Sequence, residues 1–278
     1  MNHETIINYY NYTLLLYRVF YHGKSYGVHY GFWDDTVTNH QEAILNTNKY
    51  MATLADIKPD DKILDAGCGV GGSAIWLAKN INTNVTGITL SNKQLKKAKQ
   101  LANRNGVESN TQFHIMDYLN TSFEDETFDI VWAIESVCYS INKHDFISEA
   151  YRILKKGGKL IVCDGFKLRN PQTKEEEKWY SAFLEGWALQ NLAGDVEFEQ
   201  HLTSVGFKNI QKINKVKEAM PSAKKIYNIS RYSYPLSLAT EKLGLTPSLL
   251  TKNNLAGKTQ LRIIENGIMG HYVFCGIK

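Results

Sequence analysis

Between residues 62 and 164, short apolar runs alternate with helix-period patterns, and this alternation constrains the fold more than any other feature of the chain. Lys62 to Ala66 reads as a strand and Ser73 to Lys79 as a helix. Asn84 to Leu90 is a strand rich in β-branched residues. Ser91 to Asn105 follows as a helix whose Leu95, Ala98, Leu101 and Ala102 share one face. Ser91 is expected to cap it, Gln94 to complete a capping box, and Gly106 to end it. Thr111 to Met116, Phe128 to Ile134 and Lys159 to Asp164 are three further strands. A helix from His144 to Leu154 lies between the last two, with Gly157-Gly158 ending it and turning the chain. Successive strands joined by helices pair in parallel through crossovers, so the expected class is α/β, a doubly wound, mostly parallel sheet.

The flanks are less regular. Residues 1–50 carry Tyr9, Tyr10, Tyr12, Tyr17, Phe20, Tyr21, Tyr26, Tyr30, Phe32 and Trp33, and read as an N-terminal helical cap followed by an aromatic loop. Residues 51–165 form the expected cofactor-binding core. Residues 166–278 are expected to supply lid helices and two last strands that complete the sheet. In that part Glu176 to Leu192 reads as a helix with Trp179, Tyr180, Phe183, Leu184 and Trp187 on one stripe, and Phe198 to Val205 as another. Phe207 to Val216 and Gly270 to Ile277 read as strands, with a mostly helical stretch between them.

Composition narrows the function. A net charge of +4 without a block of Lys and Arg argues against nucleic acid as a partner. Cys68, Cys138, Cys163 and Cys275 are far apart, and neither they nor the eight histidines show ligand spacing, so no metal is expected. Such cysteines suit reduced thiols in a cytoplasmic protein. The first residues have no signal-peptide pattern, and the run Leu14 to Leu16 is far shorter than a membrane span of ~20 residues.

The strongest local signal is Asp65-Ala66-Gly67-Cys68-Gly69-Val70-Gly71-Gly72, which closes the first strand and opens the first helix. Glycines here let the backbone turn sharply and a ligand approach the main chain. Gly67, Gly69 and Gly72 also satisfy the dinucleotide pattern, so a nicotinamide-dependent oxidoreductase is one reading. Three observations favour a different cofactor. Asp65 would repel a pyrophosphate and attract an ammonium group such as that of S-adenosylmethionine. Thr89-Leu90 stands where a dinucleotide enzyme presents a carboxylate to ribose. Asp117, after the third strand, can accept a hydrogen bond from an adenine amine, with Tyr118 beside it to cover the ring.

Taken in order, ILDAGCGVGGSAIWLA (63–78), VTGITLSNKQL (85–95), FHIMDY (113–118), FDIVWAIES (128–136) and RILKKGGKLIV (152–162) resemble the class I S-adenosylmethionine-dependent methyltransferases. The likeness is close over residues 55–165 and looser in the flanks. It implies that Asp65, Gly67, Cys68 and Gly69 line the methionine half of the cofactor. Thr89, Leu90 and Gln94 would meet the ribose, Asp117 and Tyr118 the adenine, and the Ile134 carbonyl the amino group. Thr89 departs from the acidic residue of many members, although the GITLS form recurs in cyclopropane-synthase-like, tocopherol and sterol methyltransferases.

Ala133 to Ser140 is similar to the corresponding run of sterol C-methyltransferases, with Tyr139 in place of their His. Gly27 to Trp33 sits where that group has an aromatic loop over the cofactor. Aromatic faces stabilise a sulfonium or carbocation by ~0.5–2 kcal/mol each. Candidate catalytic residues are therefore Glu135, His29 and Tyr26, and candidate acceptor-pocket residues are Tyr30, Trp33, Tyr139, Phe183 and Trp187. Each has a plainer alternative: Glu135 could orient its loop, His29 could be merely hydrogen-bonded, and the aromatic segments could serve packing. The expected acceptor is a small hydrophobic or amphipathic metabolite, isoprenoid- or polyketide-like, methylated on carbon or oxygen. The alternative is N-methylation of a small amine such as glycine, sarcosine or dimethylglycine. No Asn-Pro-Pro-Tyr motif for base or amide methylation occurs.

Overall fold

The computed structural model describes residues 3–17, 23 and 25–278, so Phe20 and Tyr21, named above, lie outside the described residues. Two helices, α1 (His3–Tyr17) and α2 (His40–Leu54), precede β1 (Lys62–Ala66). The alternating part then runs α3 (Gly72–Ile81), β2 (Asn84–Thr89), α4 (Asn92–Arg104), β3 (Thr111–Ile115), β4 (Phe128–Ile134), α5 (Lys143–Ile153) and β5 (Leu154–Lys167). After it come α6 (Lys174–Gly186), α7 (Asp195–Val205), β6 (Lys208–Asn214), α8 (Val216–Lys242), α9 (Ser248–Glu265) and β7 (Met269–Ile277).

The strands form one sheet in the order β3-β2-β1-β4-β5-β7-β6. Its first five strands pair in parallel, and β7 runs antiparallel between β5 and β6. The doubly wound, mostly parallel sheet expected from the sequence is therefore the fold. Because β1 pairs with both β2 and β4, the chain reverses its direction of travel at β1, and a crevice opens beyond the carboxyl ends of those strands.

Alternate residues feed the two faces. Ile63, Ile130, Trp132, Ile161 and Val273 pack under α2, α3 and α4. Leu64, Val131, Leu160, Val162 and Phe274 pack under α5 and α7. Phe146 and Phe198 are almost wholly buried in the second face, each such side chain stabilising the fold by about 1.5–3 kcal/mol. Roofing the carboxyl ends of the strands is a helical layer in which α9 packs against both α6 and α8.

Several local expectations need correction. α6 stops at Gly186, so Trp187 to Leu192 leaves the helix; a Cβ at Gly186 would meet the Lys252 carbonyl at 2.1 Å, which shows how closely α9 crosses there. Gly157-Gly158 does not end a helix. It lies inside β5, where the pairing with β4 skips from Phe128↔Leu154 to Ile130↔Lys159. At the start of α4 the box is half made. The Ser91 hydroxyl accepts from the Gln94 N–H at 3.2 Å, but Gln94 Oε1 accepts from Thr89 Oγ1 at 2.7 Å instead of reaching back. α2 was not foreseen, and three of its seven buried residues are polar: His40, Thr47 and Asn48 lie among Ala43, Ile44, Met51 and Ala52. No described helix is long and apolar enough to cross a membrane.

Candidate active site

Two adjoining cavities open at the crevice. The first is lined by the bend after β1, the ends of β2, β3 and β4, the segment Tyr26 to His29, and residues of α1. The second, of about 460 Å³, lies under α6, α8 and α9. Five residues belong to both walls: Tyr10, Val28, His29, Glu135 and Tyr139.

The bend after β1 is built for close approach. Gly67 has φ +87, and a Cβ there would stand 2.5 Å from that of Ser136. The N–H groups of Gly67 and Cys68 both donate to the Ile88 carbonyl, which ties the bend to β2. Gly72 opens α3 beneath the Ser25 and Tyr26 carbonyls, so the aromatic segment lies directly on the first turn of α3.

Asp65, on β1, is 3% exposed, and its Oδ2 has no hydrogen-bond partner among the described residues. Burial pushes its carboxyl up to about 7, against the opposing pull of the Ala74 N–H. When ionised, a carboxylate so placed favours a cationic group brought into the first cavity. At the other side Asp117 lines the wall, its Oδ1 accepting from the Leu119 N–H at 2.9 Å and its Oδ2 lying 3.0 Å from His3 Nε2. The Tyr118 hydroxyl donates to the Ser136 carbonyl at 2.9 Å, which fixes its ring on the wall between them. Cys68, Gly69, Thr89, Leu90, Gln94 and Ile134 also line this cavity. The donor set fits an adenosyl sulfonium bearing an amino acid: a buried carboxylate at one end, a polar carboxylate with an aromatic ring at the other.

Glu135 stands where the cavities meet. Its backbone is in the left-handed region, φ +45, a conformation that costs of order 1–3 kcal/mol in a residue other than Gly and is held only by its surroundings. Its Oε1 accepts from the Tyr30 N–H at 2.8 Å and lies 2.9 Å from His271 Nε2. His271, on β7, is 2% exposed. His29 Nδ1 lies 2.9 Å from the Tyr30 carbonyl, so that nitrogen carries the proton, and burial lowers its pKa against the opposing charge of Glu135. Asp164, on β5, accepts from the Cys138 and Gly165 N–H groups at 2.9 and 2.8 Å. Burial, and then the charge of Glu135, push it up to about 6.

Of the aromatic candidates, Tyr26 lines the first cavity and Tyr30, Phe183 and Trp187 the second. The Tyr139 hydroxyl accepts from Tyr10 at 2.9 Å and donates to the Trp187 carbonyl at 3.1 Å, joining α1 to the end of α6. Trp33 belongs to neither wall. Its Nε1 donates to Ser222 Oγ at 3.0 Å and its ring tilts over His40, so it anchors the loop to α8 instead of facing an acceptor. Asp164 and His271 were missed by sequence reasoning. The signal for Asp164 was present, a carboxylate ending a central strand as Asp65 does. For His271 it was a lone imidazole in an apolar strand, which by itself names no site.

The first cavity predicts a pH dependence. Below pH 7 the Asp65 carboxyl holds its proton and offers no charge to an ammonium; as pH rises through 7 it ionises. Affinity for S-adenosylhomocysteine should therefore tighten between pH 5.5 and 7.5, by up to about tenfold per unit on the acid side. Calorimetry across that range checks this, and Asp65→Asn should flatten the curve.

Residues 64–162 match the family model described as "Methyltransferase domain". The chain is 32% identical over 150 residues to the 27-O-demethylrifamycin SV methyltransferase of Amycolatopsis mediterranei, covering 54% of this chain and 55% of the relative. It is 34% identical over 131 residues to the sterol 24-C-methyltransferase of Kluyveromyces lactis, covering 45% of this chain and 35% of the relative. The chain thus spans about half the length of the first of these and less of the second. Among solved structures, the cyclopropane synthase MmaA2 of Mycobacterium tuberculosis superposes with a TM-score of 0.86 at 15% identity, covering 100% of this chain and 99% of that one. The fold is shared end to end, and the resemblance to class I methyltransferases read from the ordered motifs is borne out.

Proposed function

From a core that carries a methyltransferase domain, we propose that the protein transfers a methyl group from S-adenosylmethionine to a small hydrophobic or amphipathic acceptor in the cytoplasm, on carbon or oxygen. The observation that carries this reading is the second cavity. It is walled mainly by aromatic and aliphatic side chains, meets the cofactor cavity at Glu135, and has no Lys or Arg among its described lining residues. Among the described lining residues a phosphate or carboxylate on the acceptor would meet no Lys or Arg, and two carboxylates, Glu135 and Asp164, would stand against it. That disfavours glycine, sarcosine and dimethylglycine, each of which carries a carboxylate, and favours isoprenoid- or polyketide-like molecules.

The division of labour follows the chain: residues 51–165 hold the cofactor, 166–278 roof the acceptor, and 1–50 cap both. Asp65 would hold the cofactor's ammonium, Asp117 and Tyr118 its adenine, and Thr89 with Gln94 its ribose. When bound, S-adenosylmethionine supplies an electrophilic methyl group on a sulfonium, open to in-line displacement. The chain itself mainly positions the acceptor and excludes water. Tyr10, Val28, His29 and Tyr139 frame the opening between the cavities. Glu135 takes the proton that an acceptor hydroxyl or carbon releases, held at the opening by the Tyr30 N–H and by His271.

The test is release of S-adenosylhomocysteine by the purified protein with a panel of neutral prenylated phenols and polyketide lactones beside the three amino acids. Turnover with the neutral set supports the proposal. Turnover confined to the amino acids would replace it with the amine reading.

A further inference from the structure

The outer face of α8 borders the second cavity and runs beyond it, and it is unusually apolar. Ile229, Tyr232, Leu236 and Leu243 follow one another at spacings of three, four and seven residues. At about 100° per residue they fall within roughly one quarter of the helix circumference. All are exposed: Tyr232 at 70%, Leu236 at 67% and Leu243 at 72%, with Leu245 in the following turn also at 72%. Beside this stripe, Lys224, Arg231 and Lys242 share a second line about 100° round the helix, and all three are exposed. Between Ala219 and Lys258 the sequence holds six basic residues and one acidic residue, Glu241. Arg231 lies against the Tyr232 ring, Cζ 4.7 Å from its centroid, which joins the basic line to the apolar one.

We propose that this face of α8, with the turn that follows it, docks on an anionic lipid surface. An apolar stripe edged by cations is the pattern of a helix that lies in the plane of a bilayer, with the stripe among the acyl chains and the cations at the headgroups. A second copy of the chain paired antiparallel on this face would set like-charged basic lines against each other. The placement also has a use. Ile229 and Leu236 are exposed on the stripe and line the second cavity, so docking would put the cavity wall at the lipid boundary, where an apolar molecule is most concentrated. Docking goes beyond the methyl-transfer proposal and stands or falls separately from it.

The test is co-sedimentation of the full chain with vesicles of phosphatidylcholine containing about one-third phosphatidylserine, and with phosphatidylcholine alone. The expected result is binding to the anionic vesicles only, lost in ~1 M salt, where the Debye length falls to ~3 Å. Tyr232→Ser with Leu243→Ser, and separately Arg231→Glu with Lys242→Glu, should each weaken binding by about tenfold or more. The thermal shift with S-adenosylhomocysteine should stay as in the parent, showing that both variants are folded. Three results would overturn the proposal: no vesicle binding, equal binding by the variants, or a dimer in light scattering that Tyr232→Ser with Leu243→Ser abolishes.

Discussion

Asp65→Asn is expected to weaken S-adenosylhomocysteine binding by about two to three orders of magnitude while leaving the protein folded. Removing one partner of a buried ion pair costs about 3–5 kcal/mol, because the other charge is left without compensation, and each 1.4 kcal/mol is tenfold in affinity. Asp65 fits that case, since it is 3% exposed and its Oδ2 has no partner among the described residues. The ligand-free protein should respond in the opposite sense. With the folded-state carboxyl raised to about 7, its stabilising contribution is present below the ordinary carboxylate range and is lost as pH rises through 7. At pH 8 the wild type therefore carries a buried charge that the amide lacks. The ligand-free melting temperature of Asp65→Asn at pH 8 should equal or exceed that of the wild type, with the ligand-induced shift gone. An unaltered dissociation constant would remove Asp65 from the cofactor site.

Glu135→Gln should lower turnover by about 10²–10⁴, the usual worth of a positioned base, with cofactor affinity within a few-fold of wild type. The amide keeps an oxygen to accept from the Tyr30 N–H, now 2.8 Å from Oε1, so the segment carrying Tyr30 should hold its place. What it loses is the capacity to take a proton. The fall should therefore appear in kcat at saturating acceptor, and little in KM. The outcome also separates acceptor classes, since an amine that is already neutral needs no base. Turnover within threefold of wild type would assign Glu135 to holding the loop.

The sheet and the gathering of Asp65, Gly67, Thr89 and Asp117 round the first cavity were legible because their information is local. Asp65, Gly67 and the first turn of α3 belong to one strand, one bend and one helix, and the glycines needed at that bend are visible in any reading. Helix α2 was not legible. His40, Thr47 and Asn48 interrupt the apolar period because they face inward, where Thr47 Oγ1 accepts from the Phe32 N–H and Asn48 Oδ1 from the Ser73 hydroxyl. The partner of Glu135 was hidden for another reason. His271 lies 136 residues along the chain and meets it only because β7 inserts beside β5 in the opposite direction, a pairing no local pattern announces. Trp33 shows the converse. An aromatic cluster in sequence does not share one direction in space, and this ring turns toward Ser222 while Tyr30, three residues earlier, turns toward the second cavity.

Helix α1 reaches across both chambers. His3, Ile6, Ile7 and Leu14 cover the first, Tyr9 and Leu16 the second, and Tyr10 both. It is pinned at one end by His3 beside Asp117 and near its middle by the Asn253 amide on the Tyr9 hydroxyl. On the reading proposed above, one shutter over two rooms would couple the coming and going of the two reactants. Its expected kinetic signature is compulsory order with the spent cofactor leaving last, and product-inhibition patterns of random order would count against it.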